Sequence, residues 1–150
     1  MLAVAVVAIV VAACGVFVAP SPTAGEIGDV VAGLVLRGAA ITDQVSGDAG
    51  CGDPTLFGNA VRYDVRISSD QATAPVYVLR WKSQQTFDSS EDAFQGCVNA
   101  FKQVHPGQGV SVYEDSPWRV FGPNWSDNLR SAVEAAVHAA AGASAPDEPQ

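Results

Sequence analysis

Residues Leu2 to Ala19 form an unbroken apolar run, LAVAVVAIVVAACGVFVA, with no charged or strongly polar side chain. At a rise of 1.5 Å per residue, residues 2–19 as a helix reach about 27 Å, close to the roughly 30 Å hydrocarbon core of a bilayer. The run ends at Pro20-Ser21-Pro22-Thr23-Ala24-Gly25, where the prolines break a helix and suit a short extended tether. Such a run points to a membrane segment or an export signal for the chain beyond it. Its fates are a retained transmembrane anchor, a cleaved secretory signal and a lipid-modified signal. With no Lys or Arg ahead of the run, orientation is weakly encoded, an appearance that a start placed too far downstream would also give. Simple cleavage after Ala19 would put Phe17 at a small-residue position and Pro20 just past the cut, both unfavourable.

Val11-Ala12-Ala13-Cys14 resembles the lipobox of bacterial lipoproteins, an aliphatic residue and two small ones before a cysteine. The resemblance covers four residues and implies acylation at Cys14. The residues after it, Gly15-Val16-Phe17-Val18, continue the apolar run, which favours the retained anchor. Every fate places the rest of the chain outside the cytoplasm, and the two retained forms, single-pass or lipid-anchored, hold it at the cell membrane, which is the expected location. The expected organisation is a membrane or signal-anchor segment over 1–19, a Pro-rich tether over 20–25, an extracytoplasmic domain over 26–141 and a disordered tail over 142–150.

Cysteine usage fits export. With Cys14 in the apolar run, Cys51 and Cys97 remain as a pair, and in an oxidising compartment they are expected to form a disulfide. Closing a loop of this length stabilises by a nominal ~4 kcal/mol in the chain-entropy model. The 8 basic and 16 acidic side chains argue against nucleic acid as a partner, because phosphate binding needs clustered Lys and Arg. A hydrophobic fraction of 48% is too high for a wholly disordered chain.

Periodicity supplies the elements. Ile27, Val30, Val31 and Leu34 mark one face of a helix, with acidic Glu26 and Asp29 in its first turn and Arg37-Gly38 closing it. A short strand around Ile41 to Val45 comes next, then a glycine-rich loop, SGDAGCGD, and a short helix opened by Asp53-Pro54. Val61, Tyr63, Val65 and Ile67 alternate with Arg62, Asp64 and Arg66, the clearest strand in the chain. A polar turn over 68–73 leads to a second strand, Val76 to Trp81, close enough to make a hairpin. Ser89-Ser90-Glu91-Asp92 starts a helix whose apolar face holds Phe94, Cys97, Val98, Phe101 and Val104. Val110–Tyr113 and Trp118–Phe121 predict a second hairpin, and Trp125 to Ala141 a final helix. This order predicts an α+β fold: a two-layer antiparallel sheet of two hairpins with helices packed on one face.

Catalytic motifs are missing. The sequence has no G-x-S-x-G elbow, no S-x-x-K and no H-E-x-x-H, and Cys97 and His105 are about 12 Å apart along a helix. His138 and Glu134 have a spacing that more often gives an ion pair than a metal site. Asp48 and Asp53 flank the glycine-rich loop and would repel phosphate. No catalytic, cofactor or metal residue is therefore assigned. Two candidate surfaces remain. Arg62, Arg66 and Arg80 form a basic patch if the strand register brings them together. Trp118, Arg119 and Trp125, bracketed by prolines, have the residue types that anchor interfaces. The expected function is a membrane-anchored, extracytoplasmic binding or accessory domain without catalysis, meeting a protein partner. A lipoprotein carrying a small apolar ligand and a secreted enzyme with a site invisible in sequence are the alternatives.

Overall fold

A computed structural model describes residues 25–142. The expected membrane segment, Cys14 and the tether up to Ala24 lie outside the described residues, as does the tail beyond Gly142. Among the described residues no helix is long and apolar enough to cross a membrane.

The chain opens with helix α1 (Ile27–Leu36). The Asp29 carboxylate accepts from the Glu26 amide at 2.7 Å, in keeping with the acidic first turn of the sequence. At the other end Arg37 donates back to the Gly33 carbonyl at 2.8 Å, and Gly38 takes φ +83° to turn the chain into strand β1 (Ala39–Ser46). Helix α2 (Pro54–Phe57) is capped by Asp53, which accepts from the Thr55 amide. Strands β2 (Ala60–Ile67) and β3 (Ala74–Arg80) make the first hairpin. Helices α3 (Gln84–Ser89) and α4 (Glu91–Val104) come next, then the hairpin of β4 (Val110–Asp115) and β5 (Trp118–Pro123), then α5 (Asp127–Ala140).

The architecture is α+β with a five-stranded antiparallel sheet, ordered β1-β2-β3-β5-β4. Strand β1 is longer than its sequence suggests. As an edge strand it is exposed along most of its length and bulged between Ile41 and Asp43, so burial imposes no clean alternation on it. Helix α3 has no apolar stripe to announce it; Ser83 caps it, accepting from the Thr86 amide at 3.2 Å.

The helices do not lie on one face, and the expected two layers are three. Val76 and Val78 of β3 and Trp118 and Val120 of β5 join a core with α1 and α5, among them Val30, Leu34, Val133 and Val137. Tyr77 and Leu79 of β3 and Phe121 of β5 join a second core with Phe94, Cys97, Val98 and Phe101 of α4. The physical reason is legible in the two central strands. PVYVLR and WRVFGP place large residues at consecutive positions, the pattern of a strand buried on both faces. The alternating β2 strand, half open on its α4 side, suggests by itself a single covered face. In the first core α1 and α5 touch through Gly33, where an added Cβ would come within 3.0 Å of the Ala136 Cβ.

The Cys51 and Cys97 sulfurs stand 1.97 Å apart, at disulfide distance, with Cα atoms separated by 5.4 Å. The bridge joins the loop before α2 to the buried face of α4. Gly50 in the same loop has φ +74° and lies flat on Tyr77 and Phe121, leaving no room for a side chain.

Candidate functional site

The two surfaces expected from sequence do not form. Trp118 is fully buried in the α1/α5 core, and Trp125 is 6% exposed, donating its indole N–H to the Pro75 carbonyl at 3.0 Å. Arg119 is 1% exposed. Its Nε donates to Glu114 Oε2 at 2.6 Å, one terminal nitrogen to Ser90 Oγ at 3.0 Å and the other to Glu91. The Phe87 ring lies 4.0 Å from the guanidinium carbon, with Trp81 and Phe94 further round it. Trp, Phe and Arg between prolines have the composition of an interface anchor, and here the same composition builds core. Ser90 marks the start of α4 as expected, but its hydroxyl serves Arg119 and the Phe87 carbonyl instead of capping the helix.

The basic patch is likewise split. Pairing of Leu79 with Ala60 sends Arg80 to the α1 side of the sheet, where it meets Glu26 at 3.0 Å and lies over Trp118. Arg62 points to the opposite face, neutralised by Asp43, Asp48 and Asp64 at 3.2–3.6 Å. Arg66, exposed, shares the Arg62 face by strand alternation and so stands apart from Arg80.

What the fold does open is a cleft of about 770 Å³ at one end of the sheet. Three segments wall it: the β2–β3 turn, the end of α4 with the loop after it, and the link from β5 into α5. Tyr77 and Phe101 form its floor, their ring centroids 5.6 Å apart edge to face, and His105 lies 4.4 Å over Phe101. Asn124 takes φ 52°, and its backbone N–H donates to Gly109 O at 2.7 Å while its side-chain oxygen accepts from the Gly109 amide at 3.2 Å. Gly122 underlies this wall; an added Cβ would strike the Pro75 carbonyl and the Trp125 ring.

Asp70 fixes the turn to the helix. Its carboxylate accepts from Ser126 Oγ, whose oxygen in turn accepts from the Leu129 amide at 3.0 Å and so caps α5. Asn128 and Ser69 add bonds at 3.3 and 3.4 Å. The Ser126 bond first, then Asn128 and Ser69, hold Asp70 below the ordinary aspartate value of 3.8, against a smaller opposing effect of burial. A carboxyl depressed on folding stabilises above its unfolded pKa, and that contribution is lost as pH falls through the lower folded value. Asp70→Asn should therefore flatten the loss of stability on acidification below about pH 4, measured as urea midpoints at successive pH values. Identical profiles for wild type and variant would contradict this role. Burial pushes the Tyr77 phenol up from its usual value, with Asp48 adding to it, so the floor stays neutral.

Among the described residues no group of three or more His, Cys, Asp or Glu could hold a metal ion. His138, paired in sequence with Glu134, instead meets Asp115 through Nδ1 at 2.7 Å. The cleft is not visible in the sequence because its walls come from three separate segments. The polar run SSDQAT reads as an ordinary turn, and His105-Pro106-Gly107 as an ordinary helix end. No protein-family model matches the chain, no curated protein is similar to it, and no solved structure matches it.

Proposed function

We propose that this chain is a membrane-tethered binding module, held by residues 1–19 with the domain over 26–141 outside the cytoplasm, and that the cleft at the sheet end receives its ligand. The observation that carries the reading is the cleft itself. Its volume falls in the range of small-molecule sites, and its aromatic floor is walled by both polar side chains and the apolar Ala72, Ala74, Pro75, Pro123 and Leu129. The cysteine pair at bonding distance supports an oxidising compartment. The role is accessory, not catalytic: the cleft carboxylate, Asp70, is engaged in joining the turn to the α5 cap. An apolar ligand has no room between sheet and helices, where the side chains pack against each other on both faces, so a ligand is received in the cleft.

Protease added to spheroplasts of a bacterial host expressing the full chain should digest the domain while the apolar segment stays with the membrane. A domain that is protected in intact spheroplasts and cut only after lysis would reverse the orientation. A domain recovered entirely in the soluble fraction would remove the tether. Cys14→Ala separates the two anchors: a lipoprotein loses its acyl chain, and a transmembrane helix is indifferent.

A further inference from the structure

We infer that the cleft takes an uncharged, hydroxyl-rich ligand, a saccharide, and presents it on the side of the domain away from the membrane; this rests on the tethered-module reading above. The chemistry of the walls argues the first part. Among the described residues that line the cleft none is Lys or Arg, and the whole chain carries a net charge of −8, so an anion finds no partner there. The Asp70 carboxylate offers roughly four lone-pair positions, and bonds from Ser126, Asn128 and Ser69 occupy most of them, which leaves few oxygen sites for direct coordination of a cation. The exposed polar groups that remain include Gln71, Thr73, Gln108 and the side-chain nitrogen of Asn124. An amide or hydroxyl offers both a donor and an acceptor, the combination that a sugar hydroxyl needs. His105 adds a flat, exposed ring backed by the buried Phe101, a surface on which the C–H face of a sugar can lie.

The second part is a matter of helix geometry. Ser126 and Leu129, at the start of α5, line the cleft, while the Ala140 carbonyl at its far end accepts from the Gly25 amide at 2.7 Å. The 14 residues of α5 span about 21 Å, so the tether joins the domain one helix length from the cleft. A ligand reaches the site from the aqueous side, without passing through lipid.

The test uses the full chain in phosphatidylcholine nanodiscs, titrated calorimetrically with a glucose tetramer and an N-acetylglucosamine tetramer. Inorganic phosphate and spermidine serve as charged comparators. At least one tetramer should bind saturably, and Gln108→Ala and His105→Ala should each weaken it about tenfold or more while the melting temperature holds. Gln71→Ala provides the same reading should His105→Ala disturb the end of α4. Binding of neither tetramer at millimolar concentration overturns the inference, as does binding that none of the three variants affects. A charged comparator that binds and responds to these variants overturns the saccharide while leaving the cleft a binding site. Loss of the tether is seen separately, as failure of the chain to enter nanodiscs, and takes the orientation with it.

Discussion

Arg119→Ala should cost about 3–5 kcal/mol of folding stability, the range for removing one partner of a buried ion pair. The guanidinium is enclosed by the Phe87, Trp81 and Phe94 rings and by the carboxylates of Glu91 and Glu114. Truncation leaves a void between the rings and strands two acids that had shared one cation. Glu91 is 46% exposed and Glu114 31%, so water relieves part of that penalty and the lower half of the range is expected. Arg119→Lys should recover little, because an ammonium cannot reproduce the planar fork that meets Glu114, Ser90 and Glu91 at once. Urea denaturation measures both variants. A loss under about 1 kcal/mol for the alanine variant would show that the cage contributes no more than a surface pair.

Trp118→Ala is expected to be comparably severe, about 3–5 kcal/mol, because the indole is among the largest fully buried side chains of the sheet. Trp118→Phe should cost far less than the alanine change. The indole nitrogen is buried with no hydrogen-bond partner among the described residues, so losing it sacrifices no bond. Most of the apolar volume beneath Arg80 is retained. Melting curves on the two variants decide. An alanine variant that melts with wild type would return Trp118 to the surface, and a phenylalanine variant as damaged as alanine would mean that the site demands the full indole volume and does not relax around a smaller ring.

Local pattern accounts for most of the element boundaries. Helix α4 and strand β2 each bury one regular stripe, and their periods are plain in Phe94, Cys97, Val98 and Phe101 and in Val61, Tyr63, Val65 and Ile67. The layer count is harder, since a strand covered on both faces has no period to find. The fate of the charged residues lies beyond local pattern altogether. Arg80 and Arg62 part company through a pairing register, and Arg119 meets Glu91 only once α4 has docked. One signal is present: Glu114 and Arg119 sit symmetrically about the β4–β5 turn and pair directly across it. The cleft has none, because none of its three walls carries a motif and only the closed sheet end brings them together.

The bridge between Cys51 and Cys97 gives this domain a mechanical character. A pull applied at Gly25 would meet first its hydrogen bond to the Ala140 carbonyl, then α1, then β1, which among the described residues is an edge strand paired with β2. To come away, α1 must give up the core contacts of Val30 and Leu34, and β1 its pairing at the sheet edge. The peeling stops at Cys51, where a covalent link carries the load directly into α4 at Cys97. Residues 25–50 can run out like slack, while the strands, helix and turns around the cleft lie beyond the stop. Pulled from residue 25, the fold would thus keep the sheet end and its cleft assembled for as long as the bridge remains oxidised.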